Sequence, residues 1–354
     1  HSRTRLKMDK KDLLSLLDNL SEEREETTFS RNSRVLLIDG LNLFFRNFAM
    51  LNIVNSEGAH IGGLGGFLRS LGTLVNQIQP TSIYIVFDGE GSTTNRKNLL
   101  PEYKGGRHLS RITNWDTFED LDEEHDAKVD QIVRLVQYLK CIPVKTVALD
   151  KVEADDIIGY LSKYITKQDP ENKAFIVSSD KDFIQLTDDQ ITVYRPIEKD
   201  FYTKEVVMKK FGVLAENFIV YKTLMGDASD KIPGVKGLGE KKLKKLFPEL
   251  GERIVTLEDI IESSIEKYKE HTIYSRVGLD VEILRRTYKI MDLHNPMMDD
   301  LEKEYIRDLE ASDFPVLNSD LFLRLYSEDG LRHLIKNVDY WIQNTFKDLI
   351  SYNK

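Results

Sequence analysis

Four aspartates follow apolar runs at a spacing that could bring them together. Asp39 and Asp88 each come directly after a run of four or five apolar residues, and Asp180 and Asp182 follow a third run after two serines. Runs of this length are typical of the buried strands of a parallel sheet. Ligands of an open parallel sheet bind outside the carboxyl ends of its strands. We therefore expect these four carboxylates to point into one crevice.

Five further acids lie where they can reach the same crevice. Glu153, Asp155 and Asp156 open a predicted helix that follows another predicted strand, and Asp227 and Asp230 lie in a short loop. Each of them alone could be a helix cap or a solvated side chain, because acids stabilise helix N-termini. Capping does not explain acids at successive strand ends, so a shared site is the interpretation we favour.

A cluster of this many carboxylates needs cations, because like charges a few ångströms apart repel one another. Oxygen-only ligand sets suit Mg²⁺, and Mn²⁺ can substitute for it. Two such ions about 4 Å apart can activate a water molecule and stabilise the leaving oxygen of a phosphodiester. The acids therefore predict a two-metal phosphodiesterase in which activated water is the nucleophile.

The elements expected to position these acids alternate along the chain. Short apolar strands and helices alternate over residues 34–202, which predicts a catalytic α/β unit with a mainly parallel sheet flanked by helices. Residues 89–126 form a long insertion in this unit, and residues 203–354 are helical almost throughout. Residues 1–33 read as a short helix and a polar tether. Residues 1–7 precede Met8, a plausible native start, and are set aside as an expression remnant.

Basic residues are concentrated in two segments, although the net charge of the chain is −9. They gather in residues 96–111 and in residues 231–245, and the second group accompanies a glycine-rich turn. Such a turn lets backbone N–H groups approach a phosphate, and the lysines add salt-sensitive attraction to a nucleic-acid backbone. The alternative for these lysines is a solvated helix face. The glycines beside them favour contact with DNA.

Composition excludes several other classes of protein. The 354 residues are 41% hydrophobic and 31% charged, and Cys141 is the single cysteine. One cysteine excludes an internal disulfide and a cysteine-cluster zinc site. No apolar stretch approaches the length of a membrane span, and no signal-peptide pattern opens the chain. We expect no membrane partner and a reducing, cytoplasmic location.

The order and spacing of these motifs resemble the 5′-3′ exonuclease/flap endonuclease superfamily over residues 34 to about 250. The matching segments are 37–40 (LIDG), 86–89 (VFDG), 101–107 (PEYKGGR), 153–156 (EADD), 178–183 (SSDKDF) and 226–239 (GDASDKIPGVKGLG). Gly105 and Gly106 make the third segment looser than its family version, and Lys231 stands where relatives often carry asparagine. The segment around Trp115 and the helical tail resemble the ribonuclease H of T-even phages, so we expect that subclass.

The resemblance implies three roles for the acids. Some match ligands of a first, catalytic metal, some match ligands of a second metal, and some match acids that act through water in bacterial and phage members. In that order, the three groups are Asp39, Asp88, Glu153 and Asp155; Asp180, Asp182 and Asp227; and Asp156 and Asp230.

The resemblance also implies contacts with DNA. Lys104 and Arg107 match basic residues that steer the scissile phosphate, and residues 89–126 match the arch through which a 5′ single strand passes. Residues 226–246 resemble a helix–three-turn–helix motif, in which relatives often bind a potassium ion. The residues expected to contact DNA are Arg46, Arg96, Lys104, Arg107, Gly234, Lys236, Gly237, Gly239, Lys241, Lys242, Lys244 and Lys245.

The expected function is the removal of 5′ flaps and RNA primers by a monomer in DNA replication and repair. Its substrates would be branched, nicked or 5′-flapped DNA and RNA/DNA duplexes, and a single-strand-binding protein or a sliding clamp would be a further partner. Two alternatives stay open. A PIN-type ribonuclease would share the sheet and the acids but not the glycine-lysine turn, and a non-catalytic protein that binds branched DNA would have lost the acids.

Overall fold

A six-stranded sheet forms the centre of the fold, seen in a computed structural model that describes residues 31–105, 112–114 and 116–352. Its order is β3-β2-β1-β4-β5-β6, and each neighbouring pair is parallel except the antiparallel pair of the last two strands. The predicted mainly parallel sheet is confirmed. The strands are β1 (Arg34–Asp39), β2 (Ser82–Val86), β3 (Lys145–Val147), β4 (Lys173–Val177), β5 (Ile191–Arg195) and β6 (Asp200–Tyr202).

Helices flank the sheet, and they occupy most of the chain after β6. The helices before β5 are α1 (Gly40–Met50), α2 (Gly62–Ile78), α3 (Thr94–Leu99), α4 (Leu121–Leu139) and α5 (Ala154–Gln168). The later ones are α6 (Lys204–Phe211), α7 (Phe218–Met225), α8 (Glu240–Leu246), α9 (Glu249–Glu252), α10 (Leu257–Glu266), α11 (Thr272–Leu279), α12 (Val281–Met291), α13 (Asp300–Ala311), α14 (Ser319–Glu328), α15 (Val338–Thr345) and α16 (Lys347–Tyr352).

The two faces of the sheet support two hydrophobic cores. Successive side chains of a strand point to opposite faces, and β1 follows this rule. Leu36 and Ile38 pack with α1, α2, α4 and the tail helices α14 and α15. Val35 and Leu37 pack with α5 and with helices of residues 204–306. Both faces are therefore covered, which explains why the central strands are apolar throughout.

The strands that carry the predicted acids were located from the sequence, whereas β5 and β6 were not. β5 alternates buried and half-buried residues, and β6 has only three residues. The helical character of the chain after β6 is confirmed in the residues that the structure describes. Those from Arg31 onward form one compact unit, and a division into two domains at residue 202 stays a prediction.

Some sequence predictions fall outside the described residues. They include the helix and nearly all of the tether of residues 1–33, and part of the insertion at residues 89–126. Within the described part of that insertion lie α3 and the first turns of α4. No helix in the parts of the chain that the structure describes is both long and apolar enough to cross a membrane.

Candidate active site

The carboxyl ends of β1 and β4 meet at Asp39. This residue ends β1 and caps α1, because its carboxylate accepts hydrogen bonds from the Asn42 N–H at 3.1 Å and from Ser178 Oγ at 3.0 Å. Ser178 directly follows β4, so the second bond ties the ends of two neighbouring strands together. Only 7% of Asp39 is exposed. The strand-end arrangement expected from the sequence is thus present.

The end of β2 is tied to the start of α5 through Asp88. Its carboxylate Oδ1 accepts a hydrogen bond from the Ala154 N–H at 2.8 Å. The adjacent Gly89 allows this approach, because a Cβ atom there would lie 1.7 Å from the carbonyl oxygen of Leu149. Asp88 is thereby placed beside the acids that open α5.

Burial and mutual repulsion mark the acids at this sheet edge. Burial, then the charges of Asp88 and Asp180, raise the pKa of Asp39 to about 7. Burial and the charges of Asp180, Asp39 and Glu153 raise the pKa of Asp155 well above its usual range, against the opposing charge of Lys104. The pKa of each group is therefore affected by acids from other elements of the fold, while the assignment of these acids as metal ligands stays a prediction.

Arg96 of α3 neutralises part of this charge from inside the protein. Its guanidinium contacts both oxygens of Asp156, at 2.6 and 3.1 Å, and lies 3.0 Å from Glu153 Oε2. Its Nε also donates to the Ile290 carbonyl at 2.9 Å. Burial alone would lower its pKa, but the charges of Asp156 and Glu153 raise it well above the usual value.

This contact corrects one sequence prediction. Arg96 was expected to contact DNA, but only 3% of it is exposed and its guanidinium is engaged by carboxylates. Asp156, expected to act on a metal through water, accepts hydrogen bonds from Arg96 and from the Met297 N–H at 3.0 Å, and its role at a metal stays a prediction. Both residues therefore act together as an anchor between α3 and α5.

Tyr103 and Lys104, which belong to the insertion, both contact Glu153. The Tyr103 hydroxyl and the Lys104 ammonium each donate to Glu153 Oε2 at 3.1 Å. Burial alone would lower the pKa of Lys104, but the charges of Asp155, Glu153 and Asp230 raise it. Tyr103 is packed in the protein interior and is 3% exposed. Arg107, the second predicted phosphate-steering residue, lies outside the described residues.

Lys222 of α7 connects two other acids. Its ammonium lies 2.8 Å from Asp182 Oδ1 and 2.7 Å from Asp227 Oδ2. Burial and the charge of Asp180 raise the pKa of Asp182 to about 7 despite this contact. Burial acts in the same direction on Asp227, but hydrogen bonds from Lys222 and Ser229 outweigh it and lower the pKa to about 2. Asp180 itself accepts from the Asp182 N–H at 2.8 Å.

The donor set fits hard divalent cations. Glu153 Oε1 is buried and has no hydrogen-bond partner among the described residues, and the acids around it raise one another's pKa values. A divalent cation relieves both conditions, because it supplies a bond to carboxylate oxygen and opposite charge. In the chain as described, no three acidic, histidine or cysteine side chains stand close enough together to hold one ion in common. The acids are gathered in one crevice but do not yet form a closed coordination sphere.

The glycine-lysine turn lies between α7 and α8. Gly237 has a backbone φ of +81°, a left-handed conformation that favours glycine. A Cβ atom on Gly234 would lie 2.3 Å from the Met225 carbonyl group, so this glycine serves the packing of the protein backbone rather than the approach of a ligand. Nothing lies within 4 Å of the Cβ position of Gly239. The predicted lysines are all exposed and comprise Lys236, Lys241, Lys242, Lys244 and Lys245.

Arg46 of α1 contacts the turn between β5 and β6. Its guanidinium donates to the Pro196 carbonyl at 2.9 Å. It lines a cavity of about 400 Å³ between α1, α2 and the β5–β6 turn, together with Arg69 and Lys199. A contact of Arg46 with DNA stays a prediction.

The sequence analysis missed Lys222 and the serine that ties β4 to Asp39. Lys222 is the one charged residue in the apolar helix α7. A cation in a buried segment requires a partner of opposite charge, so this position carried a readable signal. Ser178 carried none, because serines at strand ends are common in turns and caps.

Comparisons with known proteins agree with the fold and the motifs. The family described as 5′-3′ exonuclease, N-terminal resolvase-like domain, matches residues 34–212. A 5′-3′ exonuclease of Buchnera aphidicola is 31% identical over 255 residues, which cover 72% of this chain and 82% of that protein. DNA polymerase I of Bacillus subtilis is 36% identical over 246 residues, 68% of this chain and 26% of the polymerase.

A solved structure supports the same fold. The chain superimposes on the bacteriophage T5 flap endonuclease in complex with DNA and metal ions with a TM-score of 0.58 at 21% identity, covering 83% of this chain and 97% of that one. The chain spans about a quarter to a third of the length of the DNA polymerase I relatives that it matches. The T-even subclass stays a prediction. From its motifs, its sheet and these matches, the chain belongs to the 5′-3′ exonuclease family.

Proposed function

We propose that this chain is a divalent-metal-dependent 5′ nuclease that hydrolyses phosphodiesters near the 5′ ends of flapped, nicked or RNA-primed DNA. The observation that carries the proposal is the group of buried and half-buried acids at the sheet edge, whose pKa values are raised by burial and by one another's charge. Family membership supplies the reaction class. The acids supply the chemical means, because crowded carboxylates bind hard cations.

The acids divide the work of holding the cations. In the proposal, Asp39, Asp88, Glu153 and Asp155 hold one ion, and Asp180, Asp182 and Asp227 hold a second. Mg²⁺ is the expected ion and Mn²⁺ can substitute. When bound, a pair of such ions supplies an activated water molecule and charge for the leaving oxygen.

The residues around the acids orient the scissile phosphate. The Lys104 ammonium lies 3.1 Å from Glu153 Oε2. Lys104 belongs to the insertion, and its ammonium can donate a hydrogen bond to a phosphate oxygen. Arg96 holds Glu153 in place from behind. Hydrolysis would leave a 5′-phosphate product and a 3′-hydroxyl strand, with no covalent intermediate.

Contact with duplex DNA is proposed for the exposed lysines of the turn between α7 and α8. They offer salt-dependent attraction to the backbone, and Lys242 also donates to the Gly237 carbonyl at 2.9 Å, which stabilises the turn. A potassium ion in this turn, a monomeric state, a cytoplasmic location, and a sliding clamp or single-strand-binding protein as partner belong to the same proposal. The turn favours a duplex-binding nuclease over a PIN-type ribonuclease.

Cleavage assays with Asp155→Asn test the proposal. The substrates are 5′-labelled flap, nicked and RNA-primed duplexes, each with Mg²⁺ and with EDTA. We expect Asp155→Asn to cut about 10³-fold more slowly or worse, since several kcal/mol of transition-state stabilisation depend on the ions, while its affinity for the flap is retained. Asp308→Asn, at an exposed position of α13, is the matched control. Cleavage by Asp155→Asn at the control rate, or wild-type cleavage in EDTA, would contradict the proposal.

A further inference from the structure

We propose that a cleft beside α5 binds the single-stranded 5′ segment of the substrate, outside the site where the strand is cut. We call it the tyrosine cleft and define it by Tyr160, Lys163, Tyr164 and Lys167 of α5 and Lys303 and Arg307 of α13. The inference rests on the proposed function, because it assumes a substrate with a 5′ single strand. It adds a second binding site to that function.

The cleft lies along α5, the helix whose first turn carries Asp155 and Asp156. Its α5 residues are spaced by three or four positions, so they share one face of the helix with Asp156. Tyr164 is nine residues beyond Asp155, which corresponds to about 14 Å along the helix axis and about two and a half turns, so the two side chains project from opposite sides of α5. The cavity between the tyrosine face and α13 measures about 610 Å³. A ligand there would therefore bind outside the active site.

The aromatic part of the cleft is a pair of parallel tyrosines. The rings of Tyr160 and Tyr164 are 5.9 Å apart with an interplanar angle of 11°, and both are half-buried. Arg307 donates to the Tyr160 hydroxyl at 2.9 Å, which holds the first ring in place. Such a platform stacks unpaired bases without regard to sequence, whereas the bases of a duplex are already stacked on one another.

The charge of the cleft complements phosphate. Lys163, Lys167, Lys303 and Arg307 line it, and no carboxylate is among the described residues that do so. Lys163 is already paired with Asp188 at 2.8 Å. The other three cations face a cavity in a chain whose net charge is −9. Local positive charge beside stacking rings is the combination that binds single-stranded nucleic acid.

A strand fits this position better than a free nucleotide, although both offer phosphate and a base. A second depression adjoins the cleft at Pro296 and reaches Asn95 and Asn98 of α3. Its lining also includes Lys151, Lys289, Asp299 and Glu302, so its charge is mixed. Because α3 belongs to the insertion, the second depression extends from the cleft toward the insertion, and a single nucleotide would occupy only one of the two depressions.

Binding measurements with the full chain in EDTA test the proposal. Fluorescence anisotropy compares a flap with a single-stranded 5′ tail of about 15 nucleotides, near the upper site size of single-strand binders, and the same flap with a minimal tail. We expect the long tail to increase affinity in the wild type. Tyr164→Leu should reduce affinity for the long tail about tenfold, as expected for loss of a stacked base.

Lys303→Gln with Arg307→Gln tests the charges. For the long tail, the slope of log affinity against log salt should fall by about 1.4, since each phosphate contact of a single strand contributes roughly 0.7. Lys140→Gln with Lys336→Gln removes two exposed lysines outside the cleft and is the matched control. Circular dichroism and affinity for the minimal-tail flap verify that each variant folds.

The outcomes separate this inference from the proposed function. Cleft variants that cut the minimal-tail flap at the wild-type rate but lose the tail-dependent affinity support it. An equal gain from the long tail in the wild type, the control and both cleft variants would overturn it. A competition experiment in which dTMP displaces the long tail as effectively, per nucleotide, as an unlabelled oligonucleotide does would also overturn it. A wild type that cuts no flap would instead refute the proposed function and leave the binding comparison measurable.

Discussion

The carboxyl edge of the sheet and the loop after α7 each place an acid against the same lysine, yet the two acids differ. Lys222 contacts Asp182 at the sheet edge and Asp227 in the loop at nearly equal distances. The pKa of Asp182 is raised to about 7, whereas that of Asp227 is lowered to about 2. Asp182 is half-buried beside Asp180, while Asp227 receives two further hydrogen bonds from Ser229.

The difference between the two pKa values shows that the positive charge of Lys222 does not neutralise the acids at the carboxyl edge of the sheet. Asp39 and Asp155 belong to the same crowded region and have raised pKa values. Glu153 and Asp156, in contrast, are held by Arg96. Arg96 and Lys222 therefore neutralise acids at the periphery of the crevice. Asp39 and Asp155, at its centre, still require positive charge from a bound ion.

Of the substitutions considered, removal of Arg96 should have the largest effect on stability and on metal binding. Arg96→Gln leaves Asp156 buried without a counter-charge and Glu153 with Lys104 alone, so the free energy of unfolding should fall by about 3–5 kcal/mol. Loss of the support behind Glu153 should also weaken Mn²⁺ binding by about 10–100-fold. Urea unfolding and calorimetry measure the two effects.

Two controls separate positioning from folding. Arg285→Gln, an exposed arginine that pairs with Glu258 and Glu282, should change neither quantity appreciably. Arg96→Lys should restore part of both, since it returns the charge without the bidentate geometry. A stable Arg96→Gln variant with normal Mn²⁺ affinity would show that the anchor is dispensable.

Removal of Lys222 should have a smaller effect, because its partners are partly exposed. Lys222→Met should lower the free energy of unfolding by about 3 kcal/mol, the low end for a broken buried pair. The pKa of Asp227 should rise from about 2, since the first donor that lowers it is lost. Urea unfolding and NMR titration of the Asp227 carboxyl check these results. Lys210→Met, which removes a surface pair with Asp200, is the control, and equal losses in both variants would contradict the account.

The pH dependence of stability should distinguish the two regions. Unfolded aspartates titrate near pH 3.9, so the raised pKa values of Asp39 and Asp182 make the folded chain bind more protons between about pH 4 and pH 7. In EDTA, their contribution to stability should therefore decrease as pH rises through this window. Asp227 should act oppositely, losing its contribution as pH falls from about 4 to 2.

Urea unfolding across this pH range, with and without Mg²⁺, measures the difference. Mg²⁺ should remove the decrease between about pH 4 and pH 7, because the bound ion favours the ionised carboxylates. Asp182→Asn should make the EDTA profile shallower in that window. A steeper profile in the variant would show that its carboxyl is not responsible.

The exposed lysines should give the smallest effect. Lys241→Gln should leave stability unchanged and reduce the slope of log affinity for duplex against log salt by about 0.9, as expected for one phosphate contact. Fluorescence anisotropy at several salt concentrations measures the slope. Lys140→Gln is the control, and identical slopes in the two variants would remove Lys241 from the DNA interface.

The sequence predicted the strand-end acids because their chemistry follows from local rules. An apolar run predicts a buried strand, and the end of that strand fixes where Asp39 and Asp88 lie. β5 and β6 escaped prediction, since short strands that alternate in burial resemble loops. Their pairing depends on the sheet that they join.

The environment of Arg96 could not be predicted in the same way. It lies in a short polar segment, which reads as an exposed basic patch. Its burial depends on Glu153 and Asp156, distant in the chain, and on the Ile290 carbonyl. Long-range pairing of this kind leaves no periodic signal, unlike the lone lysine of α7.

Mn²⁺ titration of Asp39→Asn tests the central claim most directly. Asparagine can accept the hydrogen bond from the Asn42 N–H with its Oδ1 and donate from its Nδ2 to Ser178 Oγ, while it removes the charge. Calorimetry at neutral pH should show Mn²⁺ affinity at least about tenfold weaker than in the wild type. The metal-free variant should be no less stable, because repulsion at the sheet edge is reduced. Unchanged Mn²⁺ affinity would contradict the account.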